Sequence, residues 1–116
     1  MTLSECYELL GADYEGVIGR IGEARAIKFI PKLLDDPTFD ELSSAFERQD
    51  WETAFRAAHT MKGFCANFGL TKLQTSSSNL CEALRPGVYR PQATPLFEEV
   101  KRDYARMREV LSLLQV

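Results

Sequence analysis

The stretch WETAFRAAHTMKGFCANFG, Trp51 to Gly69, decides how the chain folds. At ~3.6 residues per turn, Ala54, Ala58, Met61, Cys65 and Phe68 fall on one stripe, with Ala57 and Phe64 beside it. That is the buried side of an amphipathic helix. Asp50 stands before it as an N-cap and Gly69 after it as a C′ glycine, so both ends are punctuated. The only histidine of the chain, His59, lies to the side of the stripe. It shares a face with Arg56, Lys62, Gly63, Ala66 and Asn67.

Downstream, Thr71 is placed to cap a second helix. There Leu70, Leu73, Ser77, Leu80 and Leu84 recur at the 3-4 spacing of an antiparallel seam, and Arg85-Pro86-Gly87 ends it. Residues 86–94, PGVYRPQAT, read as a loop. Thr94-Pro95 then opens a last helix with Leu96, Phe97, Val100, Tyr104, Met107, Val110, Leu111 and Leu114 at helical spacing.

Upstream, Asp36 caps and Pro37 begins a helix to Arg48, with Phe39, Leu42, Ala45 and Phe46 on one side and Trp51, Phe55 and Ala58 opening the buried side of the next. Before it, Glu23 to Leu34 carries Ala26, Ile27, Phe29, Ile30, Leu33 and Leu34, and Pro31 inside this segment predicts a kink. The two segments together predict one bent member of a bundle. Nearer the start are two short helices. Residues 3–10 have Thr2 or Ser4 as cap and Gly11 as stop, and Tyr14 to Ile21 has Asp13 as cap and Gly22 as stop.

No alternating strand pattern and no repeat occurs. Four amphipathic members joined by short links bury their stripes best as an all-α, antiparallel up-down four-helix bundle. Residues 1–22 are expected to cap one end of a body formed by residues 23–116, the whole making a single domain. At 116 residues, 45% hydrophobic and 27% charged, the chain is large enough for one core.

Composition excludes several functions. A net charge of −3 argues against nucleic acid as a partner. No apolar run approaches the ~18–20 residues needed to span a membrane, and MTLSECYELL lacks the basic start of a signal peptide. The expected location is therefore the cytoplasm. Cys6, Cys65 and Cys81 show no CxxC spacing, and one histidine without a Glu-x-x-His pair predicts no metal site. Charge is nonetheless uneven. From Thr53 to Cys81 there is no Asp or Glu, while Arg56, Lys62 and Lys72 are present. A basic patch on an acidic chain suits a local anionic target.

The chemistry of His59 fits such a target. A neutral imidazole is a good nucleophile toward phosphorus, and free histidine side chains titrate near ~6.5, leaving the ring mostly neutral at cytoplasmic pH. Lys62, one turn on, can offset the roughly two negative charges of a phosphoryl group, and Arg56 can do so from the other side. Gly63 costs the helix ~1 kcal/mol against alanine, a cost that makes sense if a side chain there would block an approaching surface. Close helix packing would also explain that glycine, and a lone surface histidine is usually only solvated.

The residues Ala-His-Thr-Met-Lys-Gly at 58–63, then Ala66-Asn67-Phe68-Gly69-Leu70 and Leu73, resemble the histidine-containing phosphotransfer (HPt) domain, with Asp50-Trp51 upstream in keeping. The likeness runs from about residue 23 to 115, and its specific part is 50–73. It implies a phosphorelay intermediate and not an enzyme: a carrier without kinase or ATP-binding apparatus. The implied partners are response-regulator receiver domains, with a hybrid histidine kinase as a further candidate. The receiver would supply magnesium, and the chain would need no cofactor of its own. By match, His59 is the phospho-acceptor, Lys62 the charge partner and Gly63 the clearance residue. Arg56, Ala66, Asn67 and Lys72 fall to the partner-binding surface. Family members often set a polar side chain of the next helix beside the imidazole; here Ser78, Cys81 and Glu82 are the candidates.

Two other readings share the hydrophobic seam. One is a helical adaptor bundle with an idle histidine. The other, a dimerising histidine-kinase fragment, needs an H-E motif, and Thr60 follows His59. The small basic face suits a transient contact made by a monomer.

Overall fold

The computed structural model describes residues 1–114; the last two residues of the predicted 23–116 body lie outside them. The described residues form seven helices and no strand: α1 (Leu3–Leu10), α2 (Tyr14–Ile21), α3 (Glu23–Leu34), α4 (Thr38–Glu47), α5 (Trp51–Asn67), α6 (Thr71–Leu84) and α7 (Ala93–Leu111). None of them is long and apolar enough to cross a membrane.

Local chemistry sets most boundaries. Thr2 and Glu5 form a reciprocal capping box on α1, which makes Thr2 and not Ser4 the cap. Gly11 ends α1 at φ +62°, and Asp13 caps α2 by accepting from the Gly16 N–H at 3.0 Å. Helix α3 continues through the exposed Pro31. Three starts differ from expectation. Asp36 accepts from the Thr38 N–H, so α4 begins one residue after Pro37. Thr71 is the first residue of α6 and not its cap, its hydroxyl turned back to the Gly69 carbonyl. Helix α7 begins at Ala93, ahead of Thr94-Pro95.

The core is one cluster. Helices α4, α5, α6 and α7 each pack on the next in sequence, and α5 with α6 shares the most extensive contact. From α5 come Ala54, Ala57, Ala58, Met61 and Cys65; from α6, Leu73, Leu80, Cys81 and Leu84; from α7, Phe97, Val100, Met107, Val110 and Leu111. Aromatic stacking joins α4 to α7, with Phe39 on Tyr104 at 4.0 Å and Phe46 on Phe97 at 4.3 Å between centroids. Helix α3 leans on α2 and α7. Burial of these stripes, not helix propensity, holds the helices in place.

Candidate functional site

The helix that carries His59 is fastened at both ends. At its start, the Asp50 carboxylate accepts from the Thr53 N–H at 3.2 Å. That bond, with the Arg48 guanidinium at 3.7 Å, holds the carboxyl below its ordinary range. At its end, the Leu70 N–H reaches the Cys65 carbonyl at 2.9 Å and the Gly69 N–H the Ala66 carbonyl at 3.4 Å, a Schellman motif. Gly69 sits at φ +62°.

The short N-terminal helices bind this same corner. Arg20 of α2 donates to the Ala66 and Asn67 carbonyls, each at 3.0 Å, supplying a cation to a helix C-terminus. The Asp13 N–H donates to the Gly69 carbonyl at 2.8 Å. Burial pushes the Tyr7 phenol up, and its O–H donates to the Phe68 carbonyl at 2.6 Å. Sequence spacing could not pair Arg20 with residues so far along the chain.

Between these anchors His59 is exposed, as are Arg56, Gly63, Ala66 and Asn67, while Lys62 is half-buried. The Nδ1 of His59 faces the Sγ of Cys81 on α6 at 4.0 Å, which leaves Nε2 on the far side of the ring. Neither Arg56 nor Lys62 forms an ion pair among the described residues. A Cβ built on Gly63 meets no atom within 4 Å, so this glycine does not serve helix packing. It opens into a groove of about 520 Å³, bounded by Lys62, Gly63 and Ala66 on α5 and by Gln74, Thr75 and Ser78 on α6.

Of the three ring-orienting candidates, the fold brings Cys81 to the imidazole. Ser78 lines the groove beside Lys62. Glu82 gives both carboxylate oxygens to Arg85, with the shortest bond at 2.9 Å, and that pairing lowers its pKa, with Lys62 a smaller contributor. Glu82 also brings an acid close to a face that lacks one in sequence, and Arg85 offsets it. Lys72 does not line this groove: it lines a hollow on the α1 and α7 side with Leu9, Asp103 and Arg106, and another with Thr75 and Asn79. It stands ~100° around α6 from Thr71, and that single step takes it off the face.

Phe55 is half-buried and packed against the core, and the Arg85 guanidinium lies over its ring at 5.2 Å. Trp51 is likewise half-buried, held between Phe46 at 5.0 Å and Tyr89 at 4.6 Å. Phe55, one turn before His59, was available to the helical-spacing argument; Arg85, Gln74 and Thr75 needed the fold.

An exposed imidazole on a fastened helix, beside an open glycine and a lysine without an ion pair among the described residues, agrees with one family in particular. The family model for the Hpt domain matches residues 35–111. The chain belongs to the Hpt domain family. Hpt domains serve phosphotransfer in two-component systems and interact with receiver domains. No curated protein and no solved structure matches the chain. The Hpt match spans α4 to α7 and leaves α1, α2 and α3 outside, a shorter reach than the resemblance from residue 23.

Proposed function

We propose that this Hpt domain is a phosphorelay intermediate that takes a phosphoryl group onto His59 from an aspartyl-phosphate receiver domain and passes it to one. The observation that carries the reading is the exposed ring of His59 with Nδ1 turned to Cys81, so that Nε2 is the nitrogen left for chemistry. In the forward step the Nε2 lone pair attacks phosphorus. The P–N bond forms as the P–O bond to the aspartyl group breaks, and the carboxylate stays on the receiver. The reverse step returns the group to a second aspartate.

Lys62 and Arg56 offset the roughly two negative charges that arrive. Gly63, Ala66 and Asn67 give the receiver room to close on Nε2, and Lys72 is left out of that surface. The domain acts as a carrier and not as an enzyme: it supplies the nucleophile, while the receiver supplies the magnesium ion and the acidic pocket. On this reading α4 to α7 are the members of an antiparallel up-down four-helix bundle, with α1 and α2 capping one end. The domain works as a cytoplasmic monomer, with receiver domains, including one attached to a hybrid histidine kinase, as its transient partners.

The test is incubation with receiver domains charged by acetyl phosphate, followed by detection of acid-labile, base-stable label. Label on the wild type that is absent from His59→Gln supports the relay. Label that persists in His59→Gln, or none from any receiver, refutes it and leaves the adaptor with an idle histidine.

A further inference from the structure

The acid-free face of α5 still carries negative charge that a count of residues does not show. The carbonyl end of a helix bears roughly half an elementary negative charge. At the end of α5 the Ala66 and Asn67 carbonyls form part of that pole, and both residues are exposed. Ala66 lies two turns beyond His59, ~10.5 Å along the axis and within ~20° of it around the helix. A receiver covering ~800 Å² of this domain, a disc of ~16 Å radius centred on His59, reaches over that pole. Left bare, the pole would repel carboxylates on the visiting surface.

Arg20 of α2 reverses the sign. Its Nη2 donates to both carbonyls at 3.0 Å, which sets a full positive charge against roughly half a negative one. Among the described residues Arg20 has no ion pair, and its Nη1 and Nε donate to nothing. Glu23, one turn further on, instead accepts from the Tyr14 hydroxyl at 3.3 Å. The two carbonyl bonds hold the exposed guanidinium in place beforehand, so little rotamer freedom is left to lose on docking. The Hpt match does not reach α2, so the family pattern does not supply this cation.

We propose, resting on the relay reading for the partner, that Arg20 is a docking residue. It turns the C-terminal end of the His59 helix from a negative pole into a fixed cation that meets carboxylates of the receiver. The short N-terminal helices thereby take part in partner recognition as well as in capping.

The test uses the full chain as wild type, Arg20→Met, Arg20→Lys and Asn67→Asp, the last setting a carboxylate close to the guanidinium without removing its hydrogen bonds. Lys28→Met, on the exposed side of α3, is the control for net charge alone. Circular dichroism checks folding. Transfer from a charged receiver gives the saturating rate and the half-saturating receiver concentration, at about 50 and about 300 mM NaCl. Loading by phosphoramidate, with no receiver present, reports on His59 itself. Folded Arg20→Met is expected to raise the half-saturating concentration roughly two- to fivefold at the lower salt, with little difference at the higher. Its saturating rate and phosphoramidate loading should match the wild type. Arg20→Lys should recover most of the affinity, Asn67→Asp should shift in the same direction as Arg20→Met, and Lys28→Met should not shift. Unchanged half-saturation in folded Arg20→Met, or in Asn67→Asp where Arg20→Met does not fold, overturns the proposal. So does an equal shift in Lys28→Met, or a loss that persists at the higher salt, which would make Arg20 a helix cap only. If receiver binding measured by calorimetry shows this charge dependence but no label reaches His59, the docking role stands and the relay reading falls. A wild type that binds no receiver overturns both.

Discussion

Replacing Gly63 by alanine separates the two reasons a helix can contain a glycine. A glycine in a helix interior costs ~1 kcal/mol relative to alanine. Where glycine serves close packing, adding a methyl loses more than that through overlap. At Gly63 the new carbon meets nothing within 4 Å, and the residue is exposed, so no overlap offsets the helical gain. Gly63→Ala is therefore expected to stabilise the domain by ~1 kcal/mol, a rise of about 4–8 °C in Tm for a domain near this size. Function should move the other way. A receiver that closes onto Gly63 at van der Waals distance meets the added carbon at a cost of ~1 kcal/mol or more, about fivefold in transfer rate below saturation. Thermal melts by circular dichroism and rapid-quench transfer from a charged receiver give the two numbers. Gly63→Phe, a larger obstacle at the same exposed position, should deepen the loss of transfer. A fall in Tm for Gly63→Ala would refute the claim of open space. Normal transfer by folded Gly63→Phe would refute its use for docking.

Gly69→Ala should behave oppositely to Gly63→Ala. Its φ of +62° and a Cβ position 2.7 Å from the Asp13 carbonyl oxygen leave no relaxed solution. A loss of about 2–4 kcal/mol is expected in urea unfolding. Asp50 is held by Thr53 below its ordinary range, so the unfolded chain binds the proton first as pH falls. Its stabilising share is present above the ordinary carboxylate pKa and is lost as pH drops through the lowered folded value. Tm measured from about pH 6 to about pH 3 should fall less steeply in Asp50→Asn, which keeps the cap without the titration. Lys62→Ala should slow transfer or shorten the phosphohistidine lifetime with helical content unchanged; unaltered rate and lifetime would remove Lys62 from the mechanism.

Helix positions were legible because the forces that set them act over a few residues. The Thr2–Glu5 box, the Asp13 and Asp50 caps and the Gly69 terminus each join groups within about one turn. The errors at Pro37 and Thr71 are shifts of a residue where a turn hydrogen bond competed with a cap, and α7 likewise starts one residue ahead of Thr94. Family membership was legible for a related reason. The His-x-x-Lys-Gly spacing lies within a turn or so of α5, on a side that the core does not use.

What the residues alone determined, then, is the set of amphipathic helices, the side of α5 that His59 occupies, and the exclusion of acids from that segment. Only the tertiary structure could choose Cys81 over Ser78 and Glu82 at Nδ1, turn Lys72 toward α1 and α7, draw Arg85 over Phe55 and fix Arg20 to the end of α5. Neighbouring residues on a helix diverge by ~100°, so which side chain of α6 meets His59 depends on how α6 is rotated against α5. That rotation is set by burying Leu73, Leu80 and Leu84 together with the stripes of α5 and α7, a balance of the whole core that no local spacing records.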